Sequence, residues 1–225
     1  MQPCLFHFIH HAAFTLTSQD RTLVFDPFLE GNPEGLTARD IKADWIAVSH
    51  AHGDHLGETF AIAKRTGATV ITTAEVAHLA QENGCRAHAM HIGGTHAFEF
   101  GRMRLTPAFH GSGVAGGHAC GFLCDFFGTR VYFAGDTSVF SDMALLPRLM
   151  PVDVAVLPIG DNFTMGPEDA RLAAEFLKAK TVIPVHYDTW PLIAQDPLAF
   201  KASVEASTPS KVLVVKPGET VALTF

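Results

Sequence analysis

The chain has 225 residues, 48% hydrophobic and 17% charged, enough apolar material for one large core and too much for intrinsic disorder. Sixteen Lys and Arg against 23 Asp and Glu leave a formal charge of −7, which argues against a nucleic-acid backbone as partner but leaves room for small anions held by a metal. No apolar run approaches the roughly 18 residues of a membrane span, residues 1–17 lack the basic start of a leader, and Cys4, Cys85, Cys120 and Cys124 are too sparse for a disulfide scaffold. The expectation is one domain over 1–225, cytoplasmic, with reduced thiols and a small-molecule substrate, and with neither nucleic acid nor membrane as partner.

Alternation and turn residues predict strands over 4–9, 13–17 and 21–25, followed by a Pro/Gly-rich loop over 27–35. A buried strand over 45–49 leads into helices over 58–66 and 74–83, with a strand over 70–72 between them and Gly84 as a helix stop. Strands return over 98–100, 103–109, 119–126 and 130–133, with Gly101 and Gly128 at hairpin turns. The last third alternates: strand 152–157, helix 167–178 opened by Pro167 and two acids, strand 181–185, helix 198–206, then strands 211–215 and 221–225. Two mixed blocks of this kind predict an α/β protein, a four-layer α/β/β/α sandwich of two mixed sheets with helices outside.

Histidine carries the chemical signal. Directly after the strand over 45–49 comes His50-Ala51-His52-Gly53-Asp54-His55, four metal-ligand side chains in six residues. On extended backbone His50 and His52 point the same way, and Gly53 is expected to turn the chain sharply so that Asp54 and His55 face a second position. Burying such a set without a cation is costly, so further donors are required at other strand ends. His110, Asp136 and His186 each follow a predicted strand and precede a turn. Taken alone, Asp136 reads as a helix cap and each histidine as a hydrogen-bonded edge residue.

Together His50, His52, Asp54, His55, His110, Asp136 and His186 resemble the metal motif of the metallo-β-lactamase superfamily, whose fold is the sandwich predicted above. The segments TLVFDPF (22–28), GDNFTMGPEDA (160–170) and VIPVHYDTWPLIAQDP (182–197) are similar to a group of metal-dependent hydrolases related to the L-ascorbate 6-phosphate lactonase branch. The resemblance implies two divalent cations, zinc first, with manganese, iron or nickel left open by ligand type. His50, His52 and His110 would hold one, Asp54, His55 and His186 the other, and Asp136 would bridge them. A metal-bridging hydroxide would then cleave an ester, lactone, amide or phosphoester, with Asp54 orienting the nucleophile and shuttling its proton as the catalytic residue. Relatives of this kind often assemble, so a homo-oligomer is compatible with the reading.

Two further residues are singled out. Asp26, before Pro27, resembles the superfamily's early motif aspartate and is expected to orient the 50–55 loop by hydrogen bonds. His11 occupies the place of the histidine in a Gly-His-Ser pattern, although His10 and Ala12 depart from it; it is read as a neighbour of the metals or of substrate, or as a histidine satisfied by the fold. His7, His78, His88, His91, His96 and His118 match no motif position and read as surface or locally bonded. Gly111 to Gly116 spell G-x-G-x-x-G, but no helix is predicted after them, so the dinucleotide reading is set aside in favour of a loop at the pocket mouth. Thr164, Met165, Thr189 and Trp190 are candidates for its rim. The other classes considered are a phosphodiesterase or ribonuclease of the same superfamily, an iron oxidoreductase, which His52 argues against, and a binding protein without turnover.

Overall fold

A computed structural model describes residues 3–225. Its first sheet begins as an antiparallel meander of β1 (Cys4–His10), β2 (Ala13–Ser18) and β3 (Arg21–Phe25), then continues in parallel through β4 (Trp45–Ala47), β5 (Thr69–Thr73) and β6 (Ala87–Met90). The second repeats that plan. β7 (Thr95–Phe98), β8 (Gly101–Pro107), β9 (Cys120–Phe126) and β10 (Thr129–Phe133) are antiparallel, and β11 (Val154–Pro158), β12 (Thr181–Val185) and β13 (Lys211–Val212) add in parallel. The last strand, β14 (Thr220–Leu223), returns to the first sheet beside β1, so among the described residues each sheet has seven strands.

Each parallel step needs a crossover, and the crossovers supply the outer layers. Helices α1 (Gly53–Leu56), α2 (Thr59–Thr66) and α3 (Ala74–Glu82) serve the first sheet, and α4 (Leu146–Leu149), α5 (Pro167–Leu177) and α6 (Pro197–Ser207) the second. Helix α5 opens with Pro167 at its first turn and Glu168 and Asp169 facing the positive end of its dipole. Asp196 caps α6 by accepting from Leu198 N at 2.8 Å and Ala199 N at 3.1 Å.

Three cores follow from three interfaces, which bears out the four-layer reading. Between the sheets, Phe14 stacks on Phe25 at 4.5 Å and meets Phe133 edge-on at 5.2 Å. Burying each such ring contributes about 1.5–3 kcal/mol. Ile62 and Val76 pack over Val24, Ile46 and Val70 on one outer face, while Ala173, Leu177 and Phe200 cover Tyr132, Leu157 and Val182 on the other. Among the described residues, no helix is long and apolar enough to cross a membrane.

Several bounds differ from expectation. The predicted strand 98–100 is displaced: β7 ends at Phe98, Glu99 and Phe100 form the turn, and Gly101 opens β8 paired with Phe98. Gly101 has φ +131°, and a Cβ there would overlap the Asp125 carbonyl. Strand β8 stops at Pro107, which has no N–H to continue a ladder, so His110 is carried by a loop rather than by the strand end. β6 escaped the sequence reading because it is a sheet edge with little buried surface.

Near one sheet end the buried Asp153 accepts from Arg130 Nη2 at 2.7 Å and Nε at 2.8 Å, and pairs with Lys180 Nζ at 2.9 Å. Burial opposes its ionised form, but Arg130 and Lys180 outweigh this and hold its carboxyl down at about 2. A folded-state value below the unfolded one of about 3.9 means that the stabilisation is complete above that value and lost as pH falls toward 2. Asp153→Asn is expected to cost about 2 kcal/mol at neutral pH and to flatten the fall of melting temperature between roughly pH 4 and pH 2, read by thermal unfolding across pH.

Candidate metal centre

The seven motif residues, with Asp26 and His11, come from segments that leave strands at one edge of the sandwich. Asp26 follows β3, Asp136 lies just beyond β10, His186 follows β12 directly, and His11 sits in the turn between β1 and β2. His50 is reached through Val48 and Ser49 after β4. The sharp turn expected at Gly53 is absent. Gly53 instead begins the one-turn helix α1 behind His52, with no positive φ and open space where a Cβ would stand. A single helical turn is enough to swing Asp54 and His55 away from His50 and His52.

Asp26 is completely buried, and its carboxylate accepts from Ser49 N at 2.7 Å, Ser49 Oγ at 2.6 Å and His55 Nδ1 at 2.7 Å. With its proton given to Asp26, Ser49 Oγ accepts from His50 Nδ1 at 2.9 Å. These contacts occupy Nδ1 of His50 and His55, leaving Nε2 of each for the centre.

The inward atoms fall into two groups. His50, His52 and His110 form one, and His11, Asp54, His55 and His186 the other, each with its donor atoms within 4.8 Å of one another. Asp136 Oδ2 stands between them, 3.2 Å from Nε2 of both His55 and His186 and 3.5 Å from Nε2 of His110. A tetrahedral site with bonds of about 2.0–2.1 Å separates its ligands by about 3.3 Å, so these spacings suit donors around a cation. A third grouping, Asp26 with His50 and His55, is already closed by its own hydrogen bonds.

Polar satisfaction gives the same answer. Nε2 of His11, His55 and His186 and Oδ1 of Asp136 are buried without hydrogen-bond partners. Such atoms are rare in a folded protein and are expected where an ion completes the set. Burial, then the charge of neighbouring His55, lowers His50 to about 2, and burial lowers His11 to about 4, so both imidazoles keep a free lone pair at neutral pH. Burial works against the ionised forms of Asp136 and Asp54, but the surrounding histidines hold both carboxyls well below the usual range. His55 is pushed the other way: burial resists its charge, yet Asp136 and Asp26 raise it well above an ordinary imidazole. Positive charge is thus favoured at His55, between Asp136 and Asp26, while His50, His11 and His110, each lowered chiefly by burial, are kept as neutral donors.

The glycine-rich loop has a packing role. No helix follows it, and Ser112 O accepts from Ala51 N at 2.7 Å. Gly113, at φ +71°, lies so close to Ala51 and His52 that a Cβ would stand 2.6 Å from the Ala51 carbonyl carbon. The loop thus braces the motif from outside.

Sequence reasoning left His11 undecided, and the structure brings it into the second group. Its Nδ1 is 2.8 Å from Thr189 Oγ1, and its ring lies 4.0 Å from His186 and 4.9 Å from Trp190. Two other residues matter that the sequence flagged weakly or missed: Trp190 and Phe163 line the cleft over the donors. Met165, a rim candidate, is buried in the outer core instead, and Thr164 is not part of the lining. His7 pairs with Glu34, His78 with Glu82, and the His88 ring lies tilted 4.1 Å from that of His96, all outside the donor groups.

Residues 21–187 match the family described as Beta-lactamase superfamily domain. A protein of Natranaerobius thermophilus named UPF0173 metal-dependent hydrolase is 48% identical over 94% of this chain and 96% of its own length. The chain is a UPF0173 member of the β-lactamase superfamily. A second relative of the same name, from Pelotomaculum thermopropionicum, is 48% identical over 96% of the chain and 98% of its own length. Among solved structures, Igni18, a metallo hydrolase from the archaeon Ignicoccus hospitalis, superposes with a TM-score of 0.92 at 33% identity, covering 100% of both chains. The UPF0173 chain therefore shares its fold and most of its length with proteins named for metal-dependent hydrolysis, while the kinship with the lactonase branch remains an expectation of the sequence.

Proposed function

We propose that the protein is a hydrolase with two divalent cations, zinc first, that cleaves an ester, lactone, amide or phosphoester of a small substrate. The observation that carries this is Asp136 Oδ2 lying within 3.5 Å of donor nitrogens from both groups. His50, His52 and His110 would hold one cation, Asp54, His55 and His186 the other, with Asp136 touching both and His11 offering a further nitrogen to the second. When bound, the metals supply a hydroxide at neutral pH and stabilise charge on the attacked and leaving oxygens.

The chain's own residues do the rest. Asp26 and Ser49 fix the tautomers of His55 and His50. Asp54 Oδ2, 3.4 Å from His11 Nε2, is half-exposed at the cleft, where it can orient the nucleophile. Because its carboxyl is held low, it stays ionised at neutral pH and takes the nucleophile's proton only in transit to the leaving group.

Dialysis against a chelator is expected to abolish turnover of chromogenic esters and lower the melting temperature, with two equivalents of zinc restoring both. Elemental analysis of protein prepared without added ions is the direct check; one equivalent or none at saturation would refute the two-metal reading, and iron with visible absorption would favour redox chemistry. Thr189→Val tests the role of His11: without the hydroxyl at Nδ1, affinity for the second metal is expected to fall about 10–100-fold with the fold intact, measured by competition with a chromogenic chelator.

A further inference from the structure

The cleft over the donor atoms has a volume of about 340 Å³, at the small end for ligand pockets. Beyond the donor side chains themselves its lining is two aromatic rings, Phe163 and Trp190. Among the described residues, no Lys or Arg lines it.

Both residues sit on backbone that is tied down. Phe163 is 49% exposed and rides on a turn in which Asp161 and Asn162 are both left-handed, closed by Thr164 N donating to Asp161 O at 3.0 Å and anchored by Met165 N donating to Thr137 O at 2.9 Å. Trp190 stacks on His11, whose own position is tied to Thr189. Phe163 and Trp190 together give the cleft an apolar wall beside the donors. A second cavity, of about 630 Å³ and walled by Phe8, His11, Thr189, Leu198 and Val214, is lined by one cation, Lys216. The two spaces share no lining residue, and the larger one meets the centre at His11 and Thr189, so Lys216 borders the neighbouring space rather than the cleft itself.

A substrate group held within the cleft therefore leaves water against two aromatic side chains, with no Lys or Arg among the lining residues to meet an anion. Charge remote from the scissile bond would be desolvated without a partner, whereas an uncharged ring or alkyl group gains contact with both aromatics. Building on the hydrolase reading, we infer that the substrate body is uncharged and apolar, seated between Phe163 and Trp190, and that the molecule cleaved is a neutral acyl compound (ester, lactone or amide) with no phosphate or carboxylate away from the reacting group. Water is the second reactant: its oxygen bonds to the acyl carbon, the acyl C–O or C–N bond breaks, and its proton goes to the leaving atom.

The test compares p-nitrophenyl phenylacetate with its analogue bearing a para-carboxylate on the phenyl ring, and with bis(p-nitrophenyl) phosphate, on the full chain loaded with zinc. The neutral ester is expected to have a kcat/KM at least about tenfold above either anion. Phe163→Ser is expected to raise KM for phenylacetate severalfold with zinc content unchanged, and Phe163→Leu to recover most of the loss. Equal or better turnover of either anion, or an unchanged KM in Phe163→Ser, would overturn the inference. Trp190 emission titrated with phenylacetamide and its para-carboxylate analogue, with Trp190→Phe as blank, separates the two readings. Selective binding of the neutral amide without turnover of any ester sinks the hydrolase and keeps the apolar cleft; binding without selectivity sinks the apolar cleft.

Discussion

Asp136→Asn is expected to reduce bound metal from two equivalents to one or fewer and to lower kcat/KM by on the order of 10³-fold. The reason is position and charge together. Asp136 Oδ2 faces His55, His186 and His110 at 3.2, 3.2 and 3.5 Å, so it is shared by both donor groups. Asparagine keeps the shape but removes the negative charge, leaving Asp54 to offset two cations among neutral imidazoles. A loss of several kcal/mol of charge stabilisation corresponds to about three decades in rate. Elemental analysis beside steady-state kinetics decides it: a variant that keeps two metals and most of its turnover would show that Asp136 does not join the sites.

Asp26→Asn is expected to weaken the second site through a proton rather than a contact. The native carboxylate accepts from Ser49 N, Ser49 Oγ and His55 Nδ1 in a fully buried setting. An amide keeps one acceptor oxygen and turns an NH2 group on the others, so His55 is driven to carry its proton on Nε2, the atom that should face the metal. Metal affinity should fall about 10–100-fold. Asp26→Ala goes further, stranding three buried donors at about 1–3 kcal/mol each. Competition with a chromogenic chelator reads the first effect and chemical denaturation the second; a variant Asp26→Asn with native affinity would leave the aspartate a plain turn residue.

The fold was largely legible because its signals are local. The strand pattern over 21–25 and 181–185 coincides with β3 and β12, Pro167 marks the start of α5, and the helix expected over 198–206 lies within α6. The misses have local causes too. The edge strands β6 and β7 bury few side chains and show little alternation, and Pro107 ends β8 two residues earlier than its apolar run suggests.

The site was legible as a set of residue types, since four donors in six residues have few other uses. What the linear order could not express is which donors meet. His11 and Asp54 are far apart in the chain, yet the β1–β2 turn and α1 bring His11 Nε2 within 3.4 Å of Asp54 Oδ2. Trp190 and Phe163 look like packing residues by composition, and their place over the donors depends on two loops from the second sheet.

The sequence by itself determined the donor types and the alternation that builds two sheets, because ligand chemistry and side-chain period are properties of neighbouring residues. The tertiary structure decided the grouping of the donors, the buried contacts of Asp26 and the uncharged walls of the cleft. Those depend on distances between segments far apart in the chain, which only the packing of one sheet on the other sets.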